Sequence, residues 1–315
     1  MEVFQGHRGL FRPLARPSVA LGTFDGVHIG HRELIARARS VAKPVDGDTV
    51  AYTFSPHPAK VLAPAKAPPL LCSEARRLEL LEEAGASVAI VEPFTKAFAG
   101  LEPEGFFADI LMGPIRAEHI VVGSDFSFGR GGKGRPEHLR EMAINASVTC
   151  DVVEPVLLGG TRASSTRTRD AIAAGDLPLA SSILGRPYDL DGVVVQGARR
   201  GRELGFPTAN IESSADSILA TGIYAVRGRD LTSDKTEWLS GAASLGRNPT
   251  FNDGSQHVRL EVYFMDFDGD LYGKNMRIEF IEKLRDEEKY DSVEELIDQM
   301  NLDVKNARLS IEKNQ

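Results

Sequence analysis

Cysteine is scarce in this 315-residue chain, with only Cys72 and Cys150 present. They share no metal-type spacing with each other or with a histidine, which excludes a disulfide scaffold and predicts two reduced, mostly buried thiols. Long apolar runs are missing too. No uncharged stretch approaches the ~18 residues that span a bilayer. The polar first eight residues are followed by no apolar run that could serve as a signal-peptide core. Positive charge has no excess: 37 Lys and Arg stand against 45 Asp and Glu, for a formal net charge of −8. That balance argues against a broad nucleic-acid surface, which needs clustered basic residues. Small anionic ligands stay open, because a few arginines and helix N-termini suffice for them. Aromatic residues make up 7%, with a single Trp. The remaining composition, 42% hydrophobic and 26% charged, is that of a globular protein and excludes collagen, coiled coil and a mostly disordered chain. The length suggests about two domains, and the whole predicts a soluble, cytoplasmic protein.

The first half alternates short apolar runs with helical patterns. Strands are expected at 18–21, 49–54, 88–91, 120–122 and 148–153, and helices at 31–41, 73–84, 103–111, 135–144 and 164–174. Ser73 suits the N-cap of its helix and Gly85 the position past its end. Strand–helix alternation predicts an α/β fold with an open, mostly parallel sheet. Near Leu184 the pattern changes. Strand-like runs at 189–196, 222–227, 238–245, 257–267 and 276–284 follow without helices between them, and a helix at 292–307 closes the chain. This predicts a small antiparallel β-barrel with a terminal helix. The expected domains are therefore 1–184 and 185–315.

Gly22-Thr23-Phe24-Asp25-Gly26-Val27-His28-Ile29-Gly30-His31 comes after the first of these strands and opens the first helix. A strand, a glycine-rich turn and a helix put several backbone N–H groups at a helix N-terminus, where an anion is welcome. His28 and His31 can both point at that anion and stabilise charge growing on a phosphate during in-line displacement. A nucleotide site is the better reading than a tight turn with surface histidines. Ser164, Ser165, Thr166 and Arg167 open another expected helix, where hydroxyls, free N–H groups and a guanidinium suit nucleotide phosphates. Asp125 lies just beyond an expected strand, where α/β sheets place ligands; it could bond a nucleotide, help a metal or simply shape a turn. Gly129-Arg-Gly-Gly-Lys-Gly134 fails as a P-loop, because Gly134 stands after Lys133 where Ser or Thr is required. It reads as a mobile loop.

These segments resemble known ones. The H-x-G-H element is similar to that of the nucleotidylyltransferase superfamily, and the longer Gly22–His31 form resembles that of bifunctional bacterial riboflavin kinase/FAD synthetases. Thr53-Phe-Ser-Pro-His-Pro58, Val122-Gly-Ser-Asp-Phe-Ser-Phe-Gly129 and Ser164-Ser-Thr-Arg-Thr-Arg169 resemble further motifs of that family, in order and over nearly the whole chain. The resemblance implies that Gly22, Thr23, Phe24, Asp25, Gly30, Asp125 and Ser164 to Arg167 bind the nucleotide. Phe54, Phe106 and Phe128 could wall a flavin ring, whose flat face wants aromatic partners; core packing explains any one of them equally well.

In the β-rich half, Pro207-Thr-Ala-Asn210 resembles the riboflavin kinase P-T-A-N motif, and the glycines before it, Gly201 and Gly205, resemble a phosphate-covering loop. The Thr208 hydroxyl and the Asn210 carboxamide oxygen are hard, neutral ligands suited to Mg²⁺ bridged to ATP phosphates. Glu261, between Leu260 and Val262 in an expected strand, is a candidate general base for a substrate hydroxyl. Gly246-Arg-Asn-Pro-Thr250, the turn around Asp268 and the segment around Arg285 complete the resemblance, which implies flavin contacts for Asp268 and Arg285. The Asp266-x-Asp268-Gly-Asp270 run lacks calcium-loop spacing and reads as a hairpin turn. Leu62, where relatives carry an aromatic, and the extra charge of Arg199-Arg200 depart from the pattern without removing a reactive group. The resemblance implies phosphorylation of riboflavin to FMN in the second half and adenylylation of FMN to FAD in the first, with ATP and Mg²⁺. Two rivals are an adenylyltransferase for another acceptor with a non-catalytic C-terminal binding module, and a non-catalytic flavin carrier.

Overall fold

A computed structural model describes residues 1–197, 204–213, 218–233, 237–249 and 256–314. The chain divides into two compact units, Met1–Pro68 with Ser73–Ser164, and Pro69–Cys72 with Ser165–Gln315.

The first unit is built on a six-stranded sheet of order β1-β4-β3-β2-β5-β6. Its strands are β1 (Glu2–Gln5), β2 (Ser18–Leu21), β3 (Thr49–Ser55), β4 (Val88–Pro93), β5 (His119–Gly123) and β6 (Thr149–Val153). Every neighbouring pair is parallel. β2, β3, β4 and β5 are buried along nearly their whole length, as parallel strands covered on both faces must be. Their near-continuous Val, Ile and Ala runs are the sequence form of that burial. The helices are α1 (Ile29–Ala42), α2 (Pro58–Leu62), α3 (Glu74–Glu83), α4 (Lys96–Ala99), α5 (Pro103–Gly105, continued as a π-helical turn, Phe106–Leu111) and α6 (Pro136–Asn145). Helix α1 buries Leu34, Ile35, Ala38 and Ala42, the stripe that its sequence spacing predicts. Ser73 caps α3 by accepting from the Arg76 N–H at 3.2 Å, and Gly85, just past the helix, takes φ +104°. Chain order runs outward from β2 through β3 to β4, then returns to β5 on the other flank of β2. The carboxyl ends of β2 and β5 therefore meet at a topological switch point, where α/β sheets bind ligands.

A short antiparallel pair, β7 (Leu157–Leu158) and β8 (Thr161–Arg162), precedes the second unit. That unit starts with α7 (Ser165–Ala174) and α8 (Leu177–Leu184), and continues through β9 (Tyr188–Val195), β10 (Thr208–Glu212), β11 (Gly222–Asp230), β12 (Leu239–Pro249), β13 (Gln256–Phe264), β14 (Asn275–Arg285) and α9 (Val293–Lys313). The six strands close an antiparallel barrel in the order β10-β13-β12-β11-β14-β9. Alternate residues fill it, among them Leu190, Ile211, Val226, Leu260, Val262 and Phe280. Ala171, Ile172, Leu177, Ala180 and Leu184 belong to the same core. The compact units therefore part at Ser164/Ser165, ahead of the Leu184–Gly185 boundary expected from the change of pattern, because the apolar faces of α7 and α8 are spent on the barrel. Helix α9 packs Ala307 and Ile311 on Ala225, Met265 and Ile281, and extends beyond the expected 292–307.

Two expectations are corrected. The Asp266–Asp270 stretch is no hairpin turn: β13 pairs with β10 and β12, whereas β14 pairs with β11 and β9, so the segment crosses between strands that are not neighbours. Sequence adjacency of two strand patterns does not set which strands pair. The glycine-rich segment 129–134 is not a loose loop either. Phe128 and Gly134 exchange backbone hydrogen bonds at 3.2 and 2.9 Å, the Arg130 N–H reaches the Leu101 carbonyl at 2.6 Å, and the Arg130 side chain pairs with Glu102 at 3.0 Å.

Candidate functional sites

In the first unit, the turn from Gly22 to His28 leaves β2 at the switch point. Three of its residues, Phe24 (φ 51°), Gly26 (φ 77°) and Val27 (φ 40°), are in the left-handed region, which costs Phe and Val free energy that surrounding structure must supply. Both side chains are fully buried. The Phe24 ring folds back over Gly22, where a Cβ would lie 3.1 Å from it. His28 is the N-cap of α1, its Nδ1 accepting from the His31 N–H at 3.3 Å. The two imidazoles stack, centroids 3.6 Å apart and planes 17° from parallel. Gly30 makes this possible, since a Cβ there would stand 3.1 Å from His28 Cε1. His31 Nδ1 is buried and meets no hydrogen-bond partner among the described residues. Burial first, then the neighbouring His28 and Arg162, push the His31 pKa well below its ordinary 6.5. The stacked pair thus stands at a helix N-terminus with His31 held neutral by burial, a setting that favours an anion through N–H donors.

Asp25 is buried within the turn. Asp125, beyond β5, pairs with Arg162 at 2.5 Å. Arg162 comes from β8 of the small hairpin, a residue that sequence reasoning missed because no periodic pattern surrounds it. Also missed were two donors that hold the turn from behind. Thr53 Oγ1 and Arg77 Nη1 both donate to the Thr23 carbonyl, at 3.0 and 3.1 Å, and Arg77 Nη2 donates to the Phe54 carbonyl at 3.1 Å. Ser164 ends the first unit, while Ser165, Thr166 and Arg167 form the first turn of α7 in the second.

Phe54, Phe106 and Phe128 are brought together in one aromatic cluster and are buried. Phe106 lies 5.7 Å from Phe128, and Phe98 bridges Phe54 and Phe106 at 5.9 and 6.1 Å. All three belong to the apolar core of the first unit, so packing alone accounts for their burial. The cluster does gather at the carboxyl ends of β3, β4 and β5, the edge of the sheet that carries the histidines.

In the barrel, Leu260 and Val262 point inward, so Glu261 faces outward, half-buried. Pairing register puts Asn210 and Ser244 directly opposite it on the two flanking strands, and Thr208 two residues along β10 on the same face. The Asn210 amide lies against Gly197, where a Cβ would be 2.1 Å from its nitrogen. Glu287 covers Gly246, where a Cβ would be 2.9 Å from its carboxylate. Gly205 adopts φ +86°; Gly201, Arg199, Arg200 and Thr250 lie outside the described residues. Asp268 is exposed on the connection between β13 and β14. Arg285 is drawn elsewhere, bidentate to buried Asp303 at 2.8 and 2.7 Å, so Asp268 and Arg285 are not brought together by any contact among the described residues. Among those residues no group of three or more His, Cys, Asp or Glu is placed to hold a metal ion. The donors on the barrel face are instead a hydroxyl, a carboxamide and one carboxylate, a set whose hard oxygens fit Mg²⁺ shared with a phosphate.

Residues 12–167 match the FAD synthetase family and residues 184–311 the riboflavin kinase family. The chain is 33% identical to the bifunctional riboflavin kinase/FMN adenylyltransferase of Bacillus subtilis, covering 98% of this chain and 96% of that one. It is 36% identical to the protein of the same description from Pseudomonas fluorescens, covering 98% and 97%. A crystal structure from Streptococcus pneumoniae, described as a macrolide-efflux protein, matches with a TM-score of 0.84 at 31% identity and covers 96% of each chain. No helix among the described residues is long and apolar enough to cross a membrane. With both halves matched in order and relatives similar over almost their full length, the chain belongs to the family of bifunctional riboflavin kinase/FMN adenylyltransferases.

Proposed function

We propose that the chain performs both activities its relatives are named for. In the second half, riboflavin is phosphorylated by ATP at its ribityl 5′-hydroxyl, giving FMN and ADP. In the first half, AMP passes from ATP to FMN, giving FAD and pyrophosphate. The motifs assign residues 1–184 to adenylyl transfer and 185–315 to the kinase reaction, although the compact units part at Ser164/Ser165.

The observation that carries the adenylyl-transfer reading is the stacked His28–His31 pair at the N-terminus of α1. Imidazole N–H groups and the amides of the helix N-terminus there would bind the phosphates, and these bonds would grow stronger as charge develops in the transition state. Gly22, Thr23, Phe24, Asp25 and Gly30 would shape this pocket, Asp125 would act from the facing strand end, and Ser164 to Arg167 would hold the outer phosphates. The edge of the aromatic cluster would meet the flavin ring. On the barrel, Thr208 and Asn210 would hold Mg²⁺, which supplies charge neutralisation between the phosphates, and Glu261 would take the proton of the ribityl hydroxyl. Gly201 and Gly205 would cover the phosphates. Asp268 and Arg285 are the flavin contacts that the motif match suggests for this site. Reduced thiols and ATP-dependent chemistry support a cytoplasmic location.

Incubation with riboflavin, ATP and Mg²⁺ and then chromatography of the products tests the reading. FMN and FAD should both accumulate. FAD from supplied FMN, but no FMN from riboflavin, would reduce the C-terminal unit to a binding module. No flavin product at all would make the chain a carrier.

A further inference from the structure

We infer that Arg77 is a positioning residue for adenylyl transfer, acting together with Thr53 through the backbone of the His28–His31 turn; the inference rests on the adenylyl-transfer reading above. Arg77 projects from α3 and is 6% exposed. Its guanidinium spans two carbonyls that belong to different segments, Thr23 before the left-handed Phe24 and Phe54 before Ser55-Pro56, each at 3.1 Å. Thr53 adds a second donor to the same Thr23 oxygen at 3.0 Å. A planar fork holds both carbonyls in fixed donor directions; an ammonium can also donate to two carbonyls, but on a flexible stem and without that fixed geometry.

The Thr23 carbonyl matters through the backbone it introduces. The peptide between Thr23 and Phe24 starts the run in which Phe24, Gly26 and Val27 take positive φ, and that run delivers His28 as the cap of α1. Two donors on the Thr23 oxygen fix the orientation of this peptide, and the second nitrogen of Arg77 ties it to the end of β3. The hydrogen bonds of the clamp go to the Thr23 and Phe54 backbone carbonyls, not to His28 or His31. Its effect is therefore on how accurately the histidines are held when charge develops, where a small misplacement is costly, rather than on whether ATP binds.

The test uses the full chain, with each variant assayed for FAD formation from FMN and ATP and for FMN formation from riboflavin, well below its thermal transition. Arg77→Lys should lower kcat for FAD formation tenfold or more, with KM for ATP within about twofold of wild type and FMN formation unchanged. Thr53→Val, which removes one hydroxyl in a similar volume, should lower the same kcat several-fold. The double variant should lose less than the product of the two single losses, because both donors share one acceptor. Wild-type kcat in Arg77→Lys, or a lowered melting temperature with kcat intact, would overturn the inference and leave Arg77 a purely stabilising residue. If Arg77→Lys does not fold, Thr53→Val decides, and an unchanged kcat there overturns it equally. A wild-type chain that makes no FAD would instead remove the adenylyl-transfer reading itself.

Discussion

Asn210 and Glu261 stand directly opposite each other across the β10–β13 ladder, on the outer face of a barrel whose inner face is apolar. Cross-strand partners have Cβ atoms about 4.5–5.5 Å apart, so a carboxamide and a carboxylate from segments far apart in sequence share one small area. Glu261→Gln keeps the shape and removes the base. FMN formation should fall by about 10²–10⁴-fold, while FAD synthesis from supplied FMN continues. A near-wild-type rate would leave the step to positioning by Thr208, Asn210 and Mg²⁺.

The stacked imidazoles should be needed singly. His28→Ala or His31→Ala should reduce FAD formation by about two orders of magnitude or more, the usual consequence of removing a donor to developing charge. FMN formation in the same preparation should be untouched, and loss of both activities in a folded variant would show that the two reactions are not independent.

Gly30 is a steric requirement of that stack. In Gly30→Ala the new Cβ would press on His28 at 3.1 Å from Cε1 and 3.2 Å from Nδ1, closer than ordinary van der Waals contact. The ring must give by a few tenths of an ångström, away from its place in the stack and cap. Steady-state assays should show FAD formation reduced by about tenfold, a loss expected when a catalytic group is misplaced; unchanged turnover would mean the ring can yield without cost.

His31 and His119 are both held below the ordinary histidine pKa of 6.5, in each case chiefly by burial. Their folded forms resist protonation, so as pH falls through about 6.5 the unfolded chain takes up more protons than the folded one. Stability of the first unit should therefore be fully present above that pH and decline below it. Urea titrations from pH 8 to 5 would show the midpoint falling, with a shallower fall in His31→Gln. A midpoint flat across this window would contradict the burial of both rings.

Helices α7 and α8 belong to the barrel core through Ile172, Leu177 and Leu184. A fragment beginning at Ser165 should fold and phosphorylate riboflavin. One beginning at Gly185 uncovers apolar surface worth about 1.5–3 kcal/mol for each fully buried Leu or Ile removed, and should melt lower. Equal melting temperatures for the two would show that these helices add nothing to the barrel.

Much of this architecture is legible in the sequence because burial writes itself as pattern. The parallel strands read as unbroken apolar runs, and the β2–α1 turn is marked by glycines and paired histidines. Elements that bury little, or are short, leave a weaker pattern. Strand β1 hides only Phe4 of its four residues, and β10, with Thr208 and Asn210 facing out, reads as a motif loop. Leu177–Leu184 buries Leu177, Ala180, Ile183 and Leu184 along one face, but two turns are too short for that spacing to stand out from a buried strand. Donors such as Arg77 and Thr53 act on backbone carbonyls, which carry no residue identity, and nothing in their own sequence neighbourhoods points to the turn they hold.

Closure of the barrel has a practical consequence. A sheet edge offers unpaired N–H and C=O groups to any passing strand, which is how many β-rich fragments come to precipitate or swap segments. The ring of β9 to β14 has every strand flanked on both sides, so a released C-terminal piece would carry no adhesive rim. Its solubility on recombinant expression, and its suitability as a module to be fused to other enzymes, would then depend on keeping α8 and α9 seated rather than on shielding a strand.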